Sequence, residues 1–304
     1  MKSSQLAVSL AFVALCSTGE AQKPADPDSG IVYETTSTTS MDGMPFASQV
    51  ERTRTTETPR GIRIDVLERS GPGAMLAQRN PAVGAPGSYR LAIDGGRRMI
   101  VVDTVKREYY EMNYAQMAGM GAEVSKMMTS MGMKMSAVGF DAKDLGDGGV
   151  ILGHPTTHWK THQTMTTSMQ VEGDTVAMTA DMFIDTWYAT DVKPVTPQGP
   201  LNSYPGELDS AAMSMMRGVM GESAEKILEN YKRMPRTIPL KVEIKGSMNM
   251  GEMDVMTGTT REVTKLERGK FDPALFEVPK GYKPVDNPMK KLLPSTSKSP
   301  DKQF

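Results

Sequence analysis

From residue 153 to residue 191 the chain alternates threonine, valine, methionine and aromatic residues with polar ones, and the alternation breaks only at Glu172-Gly173-Asp174-Thr175. Period-2 patterning on both sides of a Gly/Asp cluster predicts two long β-strands joined by a tight turn. With those four residues as the loop, Val171 faces Val176, and the antiparallel register sets Met169 opposite Met178, Met165 opposite Met182 and Trp159 opposite Tyr188. Cross-strand partners on one face lie roughly 4.5–5.5 Å apart, so this pairing makes an apolar stripe of methionines closed by an aromatic pair. The other face carries Lys160 opposite Trp187 and His162 opposite Asp185, and is wetter. A sheet with one mainly apolar face requires something to cover it.

The same alternation recurs along the chain. Residues 31–40, 47–57 and 61–69 read as successive strands, the last with Ile62, Ile64 and Val66 on one face against Arg63 and Asp65. Segment 47–57 has little apolar content besides Val50, which predicts a strand solvated on one side or near a sheet edge. Residues 70–88 are rich in Gly, Pro and Ala and read as a long loop, either a lid over a cleft or a disordered insertion. Strands at 89–94 and 97–103 flank a Gly95-Gly96 turn, and 107–113 adds another. The period then changes: Tyr114, Met117, Val124, Met131 and Met135 fall on one helical stripe, which predicts a helix over 114–135. Its Gly119, Gly121 and Gly132 each cost about 1 kcal/mol against Ala, so packing must hold it. A second helix is predicted over 207–233, ended by Pro235.

Residues 237–250 give the cleanest strand, with Ile238, Leu240, Val242, Ile244, Met248 and Met250 facing one way and Lys241, Glu243, Lys245 and Asn249 the other. A strand at 252–266 follows, and FDPALFEVPKGYKPV closes the domain before a disordered Lys/Ser/Pro tail. The expectation is an α+β fold: a large twisted antiparallel sheet, an incomplete barrel, wrapping two or more Met-rich helices. Strands alternating singly with helices, the mark of a parallel sheet, are absent from the pattern.

The N-terminus changes the domain picture. An apolar run from Leu6 to Leu15 followed by STGEAQ reads as a secretory signal peptide over 1–21, cleaved after Ala21, then a linker over 22–30, one domain over 31–284 and a tail over 285–304. The run is too short to cross a bilayer. Cys16 is the only cysteine and falls inside that segment, and Leu15 stands where lipid attachment would need a small residue. A periplasmic or secreted protein without a disulfide, thiol nucleophile or thiolate metal site is expected. The net charge of −1 implies no basic face and so no nucleic-acid partner. Methionine is the outlier, with 27 residues, more than Phe, Trp and Tyr together, so it must fill much of the core.

Candidate chemistry is sparse. His154, His158 and His162 are spaced by four, which on a helix would form a row able to chelate a metal, but on a strand that spacing spans roughly 13 Å. Three solvated histidines on an outer face are therefore expected, and no metal site. The runs MMTSMGMKM, MSMM and MNMGEMDVM offer thioethers suited to Cu(I), yet they follow buried periodicities and read first as core or cavity lining. There is no nucleophile elbow, phosphate loop or zinc-protease motif, and Asp181 and Asp185 read as surface acids, so no catalytic residue and no cofactor are assigned.

The order of hairpins, YYEMN before a helix, GGVILGHPTTHWKTH, DTWYATDV and FDPALFEVPKGYK together resemble the exported proteins grouped with the LolA/LolB lipoprotein-carrier fold. The resemblance implies an incomplete β-barrel around helices, an apolar cavity, and an envelope protein able to hold a lipid or a lipoprotein acyl chain, with peripheral envelope association. The expected function is binding without catalysis, the ligand lying against Trp159, Met165, Met169, Met178, Met182 and Tyr188. A Met-rich periplasmic copper-binding protein and a scaffold whose cavity its own helices fill are the alternatives.

Overall fold

The computed structural model describes residues 26–42, 48–72, 85–113, 116, 126, 129–130, 132–171, 174–195, 223–250 and 253–288. The expected signal peptide, most of loop 70–88, most of helix 114–135, the first part of helix 207–233 and nearly all of the tail lie outside the described residues.

Twelve strands form one open sheet: β1 (Ser29–Met41), β2 (Gln49–Thr58), β3 (Gly61–Ser70), β4 (Tyr89–Ile93), β5 (Arg98–Asp103), β6 (Glu108–Asn113), β7 (Met133–Ile151), β8 (His154–Val171), β9 (Asp174–Ala189), β10 (Pro239–Met250), β11 (Met253–Lys270) and β12 (Lys283–Pro284). Their spatial order is β12-β6-β5-β4-β3-β2-β1-β11-β10-β9-β8-β7. Two meanders thus run outward from a central antiparallel pair, β1 with β11, and every ladder is antiparallel except the short β12–β6 pairing.

Turn chemistry sets the meanders. Asp94, Gly95 and Gly96 all have positive φ between β4 and β5, the conformation that the Gly-Gly pair makes accessible. After β5, Asp103 accepts hydrogen bonds from the Val105 and Lys106 amides at 3.0 Å each and turns the chain into β6.

The expected barrel around two or more Met-rich helices is overturned, because the described residues are dominated by the single open sheet. Helix α1 (Ser223–Arg233) is the continuous α-helix they form, and it matches the end of the second expected helix. The first expected helix cannot reach Met135, since Met133 already pairs with Met169 in the β7–β8 ladder. Gly132 lies between at φ 70, a left-handed position where helices commonly stop. Met135 fits a period of 2 with Met133 as well as the helical stripe, and long-range pairing with β8 decides between them.

The edge strand β7 runs for 19 residues. Its Gly- and Asp-rich second half is bulged between Asp144 and Gly146 and between Asp147 and Val150. There Gly146 and Gly149 have positive φ and donate to the side chains of Asp144 and Asp147 at 2.8 and 2.9 Å. Such bulges hide alternation in the sequence and blunt an exposed edge. β2, by contrast, is not near an edge but between β1 and β3.

Alternation gives the sheet two faces, named here for Trp159 and His158. On the Trp159 face, Ile31, Tyr33, Leu240 and Val263 pack with Ala189, Val192 and Ile238. Beside them Trp159, Tyr188 and Ala142 pack with Met234 just beyond α1, whose Asn230 side-chain amide donates to the Phe140 carbonyl at 3.0 Å. On the opposite face, Tyr89, Leu91, Ile100 and Val102 are covered by Val278 and Tyr282 of the closing segment. That segment starts in a 3-10 turn (Pro273–Phe276) capped by Asp272 and ends with β12, where the Lys283 and Val285 amides donate to the Arg107 and Tyr109 carbonyls at 3.0 and 2.8 Å.

Candidate functional site

The six residues expected to line a site fall on the Trp159 face, but in a different register. β8 and β9 are joined by two residues, not four, so Val171 stands opposite Asp174, Met169 opposite Val176, Met165 opposite Ala180, Met178 opposite Thr167 and Met182 opposite Gln163. Trp159 pairs with Thr186 and Tyr188 with Thr157. The shift of two residues preserves parity, so the stripe survives while its direct Met–Met and Trp–Tyr pairs become diagonal ones.

Burial grades along this stripe. Trp159 and Tyr188 are buried at 8% and 2% exposure, Met165, Met178 and Met182 are half-buried, and Val176 and Met248 at the far end of the strands are exposed. An apolar face with half-buried methionines and an exposed far end is a surface on which another apolar group can lie. The Trp159 indole Nε1 is also buried without a hydrogen-bond partner among the described residues.

The reverse side carries the histidines. His158 stacks on Trp187 at 4.3 Å between ring centroids and donates from Nε2 to Asp185 at 2.8 Å. One period along, His162 stacks on Phe183 at 4.2 Å and donates to Asp181 at 3.1 Å, and His154 pairs with Asp191 at 2.9 Å. An ionised carboxylate only accepts, so the ring nitrogen facing it carries the hydrogen. Asp191 is held below the ordinary carboxylate range, first by its hydrogen bond from His154. The expected opposition of His162 to Asp185 and of Lys160 to Trp187 is corrected by the same shift: Lys160 faces Asp185, and Lys241 from β10 lies 5.0 Å from the Trp187 ring centre. Each histidine has its own aspartate, so the three rings do not converge on a common point. Met248 and Met256 do not converge either, because they pair with Val255 and Ser247 and so project to opposite faces.

Among the described residues, two cavities lie nearer the centre of the sheet. The larger, about 510 Å³, is a groove between the β1–β3 region and Phe271 and Leu275 of the closing segment. Its charges satisfy one another: Arg54 pairs with Glu34 at 2.8 Å, Arg63 with Asp65 at 2.7 Å, and Lys265 with Glu267 at 3.0 Å. Arg63 also donates to the Leu275 carbonyl at 2.9 Å, pinning the closing segment.

The smaller, about 140 Å³, opens on the Trp159 face among Thr35, Ser37, Glu51, Thr53, Thr55, Ile64, Arg90 and Arg261. Glu51 forms an ion pair with Arg69. Among the described residues no ion pair engages Arg90 or Arg261, and Arg90 Nε and Thr35 Oγ1 are buried without a partner. Burial is the main influence holding the Arg90 guanidinium below its ordinary value, with Arg69 and Arg261 adding to it and Glu51 opposing. Sequence reasoning missed this pocket. Arg90 alternates with Tyr89 and Leu91 in a short strand and reads as a solvated position, whereas Ala92 beside it on the same face is buried.

No family model matches the chain, and no curated protein matches it. Among solved structures the chain is similar to a LolA superfamily protein from Nitrosomonas europaea, at 6% sequence identity and a TM-score of 0.26, over 83% of this chain and 91% of that one. A likeness at that score fixes neither fold nor function. No helix of the described residues is long and apolar enough to cross a membrane.

Proposed function

We propose that this protein is an exported binding protein that holds an apolar ligand, such as a lipid acyl chain, on the Trp159 face of β7–β10 and does not transform it. The observation that carries this reading is the graded burial along one face, from Trp159 and Tyr188 through Met165, Met182 and Met178 to exposed Val176 and Met248. Methionine suits such a surface because its unbranched, polarizable side chain repacks around ligands of different shape. At about 0.8 kcal/mol per buried methylene, roughly ten methylenes supply about 8 kcal/mol before association costs of about 4 kcal/mol or more. A difference of about 4 kcal/mol corresponds to a dissociation constant of about 1 mM, and a polar anchor is needed for tighter binding. The His–Asp pairs, the nearest thing to acid–base machinery, lie on the opposite face, which supports binding over catalysis.

A neutral fluorescent probe, N-phenylnaphthylamine, tests this reading. The native protein is expected to enhance its emission and to release it on addition of dodecanol. The double variant Met165→Asp/Met182→Asp should weaken probe binding at least about ten-fold, roughly 1.4 kcal/mol, with its far-UV spectrum unchanged. Unchanged affinity in the folded double variant contradicts the assignment; Met165→Gln/Met182→Gln serves as a milder pair if the aspartates unfold the sheet.

A further inference from the structure

We infer that the small pocket at Arg90, Arg261, Glu51 and Thr35 binds an oxyanion, a carboxylate or phosphate group, that heads the apolar ligand, an assignment that rests on the function proposed above. Two observations support it independently of that function, and a third links the pocket to the Met stripe.

The first is charge. Arg69, Arg90 and Arg261 meet one carboxylate, Glu51, and Glu51 is already engaged by Arg69. Glu57, the other carboxylate on this face of β2, is occupied by the Tyr33 hydroxyl at 3.0 Å and the Val195 amide at 3.3 Å. Burying uncompensated guanidinium charge is costly, and an arriving anion removes the cost.

The second is hydrogen bonding. Arg90 Nε and Thr35 Oγ1 are buried without partners among the described residues, and both residues line this cavity. Buried polar groups are nearly always satisfied, so two orphans in one polar cavity mark the place of a missing acceptor. The larger groove on the other face has no such demand, because its arginines, lysine and carboxylates are paired. Volume agrees: about 140 Å³ accommodates roughly four or five waters at about 30 Å³ each, enough for one oxyanion but not for an acyl chain.

The third is position. Arg261 stands opposite Val242, Val242 opposite Thr186, and Thr186 opposite Trp159, so the pocket and the Met stripe share one cross-strand row. Three strand spacings of about 4.8 Å put Arg261 about 14 Å from Trp159 along that row, a span that a medium-chain acyl group covers. An amphipathic acid would lay its head at the arginines and its chain along the methionines.

Calorimetric titration at fixed ionic strength with dodecanoate, dodecanol and inorganic phosphate tests the proposal. Dodecanoate should bind the native protein at least about ten-fold more tightly than dodecanol. Arg90→Gln and Arg261→Gln should each abolish that preference while leaving dodecanol affinity unchanged. If Arg90→Gln fails to fold, the half-exposed Arg261 alone decides. Equal affinities for dodecanoate and dodecanol, unaffected by either variant, overturn the anion site and leave the apolar face standing. Binding of neither overturns the proposed function and this assignment with it. Phosphate bound with the same arginine dependence while dodecanoate fails to bind shows a free-anion site and overturns the role of ligand head.

Discussion

Thr35 is 2% exposed, and its hydroxyl has no partner among the described residues. Thr35→Val keeps the shape and deletes the orphan, so in the unliganded protein it is expected to leave stability unchanged or raise it by up to about 1 kcal/mol by urea denaturation. A loss above about 1 kcal/mol would mean that the hydroxyl is satisfied. Tyr33 is the contrasting case, donating its phenol hydroxyl to fully buried Glu57. Tyr33→Phe should cost about 1–3 kcal/mol by the same assay, because a fully buried carboxyl oxygen then loses this donor. A cost below about 0.5 kcal/mol would contradict that role. At this scale the sequence was readable where a residue obeyed alternation and silent where it broke it. Trp159, Tyr188 and the methionines were placed on the correct face by parity. Half-buried Arg90 and buried Glu57 were not identified, because a charge on a strand reads as solvated until the elements covering its face are known.

For whole elements, what the sequence determined was face, and what it missed was register. The β8–β9 turn holds two residues where four were expected, and the resulting shift of two keeps every side chain on its face while changing its opposite neighbour. That shift is why the histidine ladder emerged from the structure: a four-residue turn set His162 against Asp185, whereas the true register brings His158 and His162 each to an aromatic ring and all three histidines to separate aspartates. β7 was the least legible strand, since glycine bulges erase its alternation. Of the two readings of β2, a strand solvated on one side or one near an edge, the first holds: its solvated face carries Arg52 and Arg54, which pair with Glu34 on β1. Glu34 is held below the ordinary carboxylate value of 4.5, chiefly by its hydrogen bond from Arg54. A depressed folded-state pKa contributes stability that is fully present above the unfolded value and is lost as pH falls through the folded one. Arg54→Met should therefore lower stability at pH 7 by less than about 1 kcal/mol, since half-exposed ion pairs are screened, and the difference from the native protein should vanish well below pH 4.5. A deficit persisting undiminished into acid would show that the loss is one of packing.

The described residues form two meanders joined through β1 and β11, an arrangement the sequence could not supply because that pairing connects residues more than two hundred positions apart. The hairpins were legible because each rests on local turn chemistry and local alternation. The predicted wrapping of helices by a barrel was not met, since helical periodicity near residue 135 coincided with a strand that β8 recruits. What the sequence and the structure support jointly is a single apolar face, rich in methionine, running from a buried aromatic end to an open one. The most direct test is native mass spectrometry of the protein purified from its own envelope, with organic extraction of the same sample. The account predicts a co-purifying apolar molecule that the native chain retains and the folded Met165→Asp/Met182→Asp variant loses. Equal retention by both proteins would contradict the assignment of the ligand to this face.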